Sequence, residues 1–266
     1  MRDRPPALVE LGVDLLTVSR FRVFLSLSIP FILAGAFFAL ALLRWWAPAV
    51  LCPILLSFFT YASISHDLVH RNLGLPKWLN EMLLSLTELL ALRSGHAYRS
   101  SHLHHHAHFP EEDDLEGAAA RMNFWQALKD GLSLQFRIYG HAWRKRGKDF
   151  AWIVLEGGLC LFLIVLAMIS LQWTYVPCVY VVLVVAGSWV YPLMTSWIPH
   201  DASGGDPLMQ TKLFRGKVLG WLALEHLYHL EHHLYPQVPH HRWSELARRL
   251  DPYFQKVGLV PRKLWF

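Results

Sequence analysis

An uncharged apolar run of 21 residues, Val23 to Leu43, is bounded by Arg20 and Arg22 on one side and Arg44 on the other. Such a run is long enough to cross a bilayer core of about 30 Å, and inside lipid only a structure that satisfies its own backbone hydrogen bonds survives. The chain is therefore held to helices in a membrane. Three further apolar runs extend the pattern: about 49–65, 150–171 and 175–197. At 54% hydrophobic and 17% charged residues, the composition excludes an ordinary soluble globule. We expect an all-α integral membrane protein with four transmembrane helices in two hairpins. A cytoplasmic, histidine-rich helical cap, 66–149 and 198–266, completes one membrane-embedded domain, 1–266, with no internal repeat or linker to divide it.

Sidedness follows from placement. With four spans, the N-terminus, the 66–149 segment and the tail after His200 emerge on one face, which then holds all 16 histidines and every Lys and Arg except Arg44. The positive-inside rule makes that face cytoplasmic, so the formal charge of +5 reports topology rather than nucleic-acid binding. Cys52, Cys160 and Cys178 lie in apolar runs with no paired spacing and read as packing residues. The opening residues lack a signal-peptide core and cleavage site, so insertion relies on the spans.

Three histidine combs stand at the ends of these runs. They are His66-Asp67-Leu68-Val69-His70, His102-Leu103-His104-His105-His106 and Glu225-His226-Leu227-Tyr228-His229-Leu230-Glu231-His232-His233, the last just after a helical run at Val218 to Leu224. On a helix, positions i, i+3 and i+4 share a face, so each comb is a chelating set of neutral imidazoles. Together they exceed the three or four ligands of one zinc site, and no HExxH is present. Two metal ions fit better, and redox chemistry on an apolar substrate favours iron. Between the combs, 79–92 reads as a core-packed or interfacial helix containing Glu81 and Glu88. The acidic Glu111-Glu112-Asp113-Asp114 reads as a solvated face or helix start, with a role beside the metal as the minority reading. Residues 123–148 read as an amphipathic surface helix, 202–207 as a loop and 243–250 as an amphipathic helix. Glu156, near one end of the third run, is either functional or reaches out to the interface.

His66-x-x-x-His70, His102-x-x-His105-His106 and His229-x-x-His232-His233 resemble the three-box signature of the membrane fatty acid desaturase and hydroxylase superfamily over nearly the whole chain. That resemblance implies nine ligands, His66, His70, His102, His105, His106, His200, His229, His232 and His233, holding two iron ions with O2 as co-substrate. Asp67, Asp201 and Glu231 adjoin ligands and are expected to orient imidazoles, with His226 as a neighbour of the inner set; His96, His104, His108, His141, His240 and His241 fall outside the boxes. The implied activity is desaturation or hydroxylation of an unactivated C–H bond in a lipid. The run His232-His233-Leu234-Tyr235-Pro236-Gln237-Val238-Pro239 is similar to carotenoid hydroxylases and ketolases, and acyl-lipid desaturation is the alternative. Electrons are expected from a separate ferredoxin-type donor. Two non-enzyme readings compete: a metal transporter, which needs ligands along the spans, and a structural membrane protein with a zinc-stabilised cap.

Overall fold

The computed structural model describes residues 4–216 and 226–263; the helical run expected at Val218 to Leu224, and Glu225, lie outside them. It is built of helices, with one two-residue parallel strand pair, Phe214–Arg215 with Arg262–Lys263, tying the C-terminal end to the segment after His200. Three of the described helical segments are long and apolar enough to cross a membrane. Helix α1, Arg20–Leu42, lies in a run of mean hydropathy 2.3 and is capped by Ser19, whose hydroxyl accepts from the Arg22 N–H. Helix α7, Phe150–Ser170, has mean hydropathy 2.5, and Val176–Trp197, which opens with α8, Val176–Gly187, has 1.9.

The expected second span is built differently. Helix α2, Trp46–Phe59, has 14 residues, about 21 Å of rise, and continues without a break through a π turn, Thr60–Ile64, into α3, Ser65–His70. A π turn takes one extra residue and rotates the next stretch of helix by about 100° around the axis. Here it sets the direction in which His66 and His70 project. A second π segment, Pro192–Trp197, precedes His200 in the same manner, at a proline that has no N–H for an α-helical bond.

Two further helices form a layer against the spans, α4, Lys77–Leu90, and α5, Gly95–His108; the surface helix α6 is Phe124–Lys145. After His200 come α9, His229–Leu234, and α10, Trp243–Lys256. One apolar cluster, including Phe37, Leu56 and Val184, joins α1, α2 and α8. A second joins α3 through α7 around Leu68, Leu84 and Ile153, and a third seals α9 and α10 around Leu230, Trp243 and Leu250. The outward apolar side chains of α1 and α7, such as Phe24, Ile32, Leu161 and Met168, are exposed. On a spanning helix that exposure faces lipid.

Glu81, Glu88 and Glu156 are all buried, so the 79–92 helix carries carboxyl groups into the core rather than packing by apolar contact alone. Glu156 does not reach for the interface. It accepts from Ser94 Oγ at 2.6 Å, the His96 backbone N–H at 3.1 Å, His96 Nδ1 at 2.7 Å and the Ser85 hydroxyl. His96 Nε2 lies 2.8 Å from Glu81, which also takes Arg71 at 3.1 Å and Arg99. Burial opposes the charge on Glu81, but Arg99 outweighs it and holds the carboxyl down at about 2. Arg93, paired with Glu88 at 2.7 Å, donates to Thr60 Oγ1 at 2.8 Å and so holds the π turn. The network fixes the start of α5 against α7, and thereby the second histidine comb. Glu156→Ala, which strands the partners of a buried carboxylate, is expected to cost about 3–5 kcal/mol. Its melting temperature in detergent should fall far more than that of Leu161→Ala on the lipid-facing side.

Candidate metal centre

Eight histidines of the combs, together with His200, gather into two groups. His66, His70, His102, His106 and His232 form one; His105, His200, His229 and His233 form the other, and within each group the ligating nitrogens lie within 4.8 Å of one another. Helical spacing explains the division. In α5 the i, i+4 pair His102 and His106 turns to the first group, while His105 turns to the second. In α9 the pattern reverses: His229 and His233 belong to the second group and His232 to the first. The groups adjoin, with the His106 and His233 rings 4.4 Å apart.

It is the Nε2 atoms that converge. His66 meets His232 at 3.0 Å, His232 meets His106 at 2.8 Å, His106 meets His102 at 3.1 Å and His102 meets His70 at 3.0 Å. In the second group His200 is 3.2 Å from His105 and 3.1 Å from His233, and His233 is 3.2 Å from His229. Imidazole nitrogens bound at about 2.1 Å and at right angles around one ion stand about 3.0 Å apart, the separation seen throughout.

The opposite nitrogens show which tautomer is present. His102 Nδ1 is 3.0 Å from Glu116, His105 Nδ1 is 2.7 Å from Asp114, and His200 Nδ1 is 3.2 Å from the Ser196 carbonyl. All three partners are acceptors, so the proton sits on Nδ1 and the Nε2 lone pair faces inward. His105 and His200 thus aim two lone pairs at each other, an arrangement that repels unless a cation stands between them. Burial and neighbouring imidazoles hold His106, His229, His232 and His233 well below the ordinary histidine value, and take His70 down to about 2. Burial also opposes a charge on His105, but Asp114 outweighs it and raises that imidazole. In the absence of metal, His105 is where a proton can stand in for the cation.

The carboxylates on the comb imidazoles are Glu116 and Asp114, the latter from the acidic run for which a place beside the metal is the minority reading, whereas Asp67, Asp201 and Glu231 turn elsewhere. Asp67 turns from the boxes and accepts from the His240 backbone N–H at 3.0 Å and from His240 Nδ1 at 2.6 Å. Asp67, His240 and His241 are close enough to form a third group, but these bonds already occupy both Asp67 oxygens. Asp201 is engaged by Ser203, its backbone N–H at 3.1 Å and its hydroxyl at 2.5 Å, and braces the 202–207 loop. Glu231 is fully buried and ion-paired with Arg215 at 2.7 Å; burial pushes it up to about 7 despite the arginine. His226 lies in a short turn outside both groups, its ring 6.1 Å from His66 and 5.7 Å from Trp243. Asp114, which the sequence places in a solvated run, is fully buried, and Glu116 stands outside the sequence expectations altogether. The one available signal is an acidic run directly following the second comb.

Trp243 seals the first group. Its ring lies 5.2 Å from His66 and 4.7 Å from His232, and its Nε1 donates to the Val238 carbonyl at 2.9 Å. Asn72 Nδ2 donates to the Pro236 carbonyl at 2.9 Å. Asn72 and Asp67 thereby clamp the segment after the third comb to the first. The metal-free protein should lose stability as pH falls below about 6.5, where the unfolded histidines take up protons that the buried ones refuse. Each such imidazole costs up to about 1.4 kcal/mol per pH unit. The loss continues toward the depressed value of about 2 for His70, while His105 contributes with the opposite sign. Denaturation of chelated protein across pH 4–8 checks this, and a stability that rises on acidification would contradict it.

Sequence comparison agrees with the site. No curated protein matches the chain. The family model described as Fatty acid desaturase matches residues 44–265, from the start of α2 through all three combs and α10. With a match over most of its length, and with the comb histidines brought together in two groups, the chain belongs to the fatty acid desaturase family.

Proposed function

We propose that the two histidine groups form a di-iron centre that oxidises C–H bonds of a membrane lipid with O2. Family membership makes the protein a membrane oxidoreductase of lipids, in a family that generally uses iron. The observation that carries the finer reading is the pairing of His105 and His200, whose fixed tautomers aim two lone pairs at one point. His66, His70, His102, His106 and His232 would hold one ion, and His105, His200, His229 and His233 the other. Bound there, iron supplies the reduction of O2 and the removal of hydrogen from an unactivated carbon, chemistry that no side chain of this protein can perform.

The protein's own share is positional. Glu116 and Asp114 keep the Nδ1 protons of His102 and His105 in place and make their Nε2 atoms stronger donors. Trp243 and the apolar cluster behind it keep water from the first group. We carry four spans forward by counting α2 with its continuation to His70 as the second, with the cap and both metal groups on the cytoplasmic face. A separate ferredoxin-type protein is the electron source in this reading. In this reading the substrate is a carotenoid, on the resemblance of the 232–239 run, or an acyl lipid.

A transporter is a poorer fit, because the metal groups collect at the ends of the spans and not along them. A single zinc-stabilised cap needs one group, not two. Metal analysis of the purified protein is expected to find about two irons per chain, falling to about half when His200 and His229 are changed to Ala. One zinc, or no metal, would rule the reading out. Expression in hosts making β-carotene or only acyl lipids then identifies the reaction. Loss of two hydrogens marks desaturation, gain of one oxygen hydroxylation, and oxygen in place of two hydrogens a ketone.

A further inference from the structure

A cavity beside the first histidine group plays no part in the chemistry proposed above. It has a volume of about 450 Å³ and opens where the end of α3, the outer side of α5 and the turn from α6 into α7 meet. His70, one of the first metal group, is part of its wall. Val69, Leu103 and Ala107 line its apolar side, and Arg71, Lys145 and Lys148 bring cations to it, opposed by Asp149. Arg71 is bound to Glu81, but Glu81 already takes Arg99 and His96, so this one carboxylate does not cancel the cations around it.

Its level relative to a bilayer follows from the two helices that meet there. Helix α7 begins at Phe150, directly after Asp149, so the cavity sits at the mouth of a membrane-spanning helix. Helix α6 buries one face through Ala127, Gly131, Leu134, Ile138 and Ala142. It exposes a second, straight apolar stripe: Trp125 at 68%, Leu132 at 64%, Phe136 at 79% and Trp143 at 41%. These positions are seven, four and seven residues apart and span five helical turns, so they fall on one line. An aromatic stripe on a helix with a basic end lies in the headgroup layer of a membrane. Lys145 stands at that end and Lys148 just beyond it, so a helix lying in that layer would bring both to the depth of lipid phosphates.

We infer that this cavity is a subsite for the phosphate of an anionic phospholipid, with Arg71, Lys145 and Lys148 as its contacts and Leu103 and Ala107 against the start of the acyl chains. The inference rests on the lipid-oxidising reading and narrows its substrate, since a carotenoid hydrocarbon has no group for these cations. A lipid held here lies against the wall that carries His70.

Binding to the full chain as purified in neutral detergent tests it by native mass spectrometry, with phosphatidylglycerol, a diacylglycerol of the same chains and inorganic phosphate as probes. Phosphatidylglycerol should be retained and diacylglycerol lost. The double variant Lys145→Gln/Lys148→Gln should bind phosphatidylglycerol about tenfold more weakly, with an unchanged melting temperature. Lys129→Gln, which removes a single positive charge elsewhere on α6, should bind as the parent does. Equal retention of diacylglycerol, an unaffected double variant or an equal loss in Lys129→Gln would overturn the subsite. Competition by inorganic phosphate at micromolar concentration would also overturn it, by showing a site for soluble phosphate. Iron content, measured separately, tests the metal centre, so either reading can fail alone.

Discussion

Nine imidazoles, six buried and three half-buried, whose Nε2 atoms converge at 2.8–3.2 Å are the constraint on which the structure turns. Neutral rings in that arrangement oppose lone pair to lone pair, and protonated rings would bring like charges together in a buried space. One cation in each group would remove both problems. The fold can hold this arrangement only because other elements oppose its tendency to spread, and the most direct of these are Asp114, Glu116 and the Ser196 carbonyl on the outer nitrogens.

Rigidity around the centre comes from polar contacts placed where a membrane protein can least tolerate them unpaired. Glu156, Glu81 and Glu88 are buried, and each is satisfied by partners from another part of the layer, His96, Arg99 and Arg93. Arg93 reaches Thr60 in the π turn that directs His66, and Arg99 donates to the Leu68 carbonyl at 3.1 Å within the same comb. Asn72 and Asp67 extend the control to the segment after the third comb. Substitutions in this network therefore act on the metal groups without touching them, because they change where the backbone aims the rings.

Much of the site was legible from spacing. The i, i+3, i+4 pattern in His102, His105 and His106, and in His229, His232 and His233, implies rings on one face of a helix, and all nine expected positions lie in the two groups. Apolar run length likewise indicated helices able to span a membrane at Val23–Leu43, 150–171 and 175–197, and the structure has such helices there. The carboxylates were less accessible. Asp67 and Glu231 stand next to histidines on helices, where neighbours point about 100° apart, so adjacency there argues against contact, and Asp201 follows His200 into a loop where Ser203 takes it. Asp114 and Glu116 contact the imidazoles because the chain folds back after α5, a reversal whose one local sign is the acidic run directly following the second comb.

By itself the amino-acid order determined the material: apolar stretches that must be helical in lipid, and imidazoles placed one helical turn apart at their ends. It also determined the donor chemistry, because neutral histidine suits a transition metal whatever surrounds it. Tertiary structure alone decided how the donors are shared. Two π turns rotate His66 and His200 into place, and His105 and His232 cross over to the group opposite their neighbours. These are long-range choices, set by which helix faces which, and they turn three separate combs into two metal-sized groups.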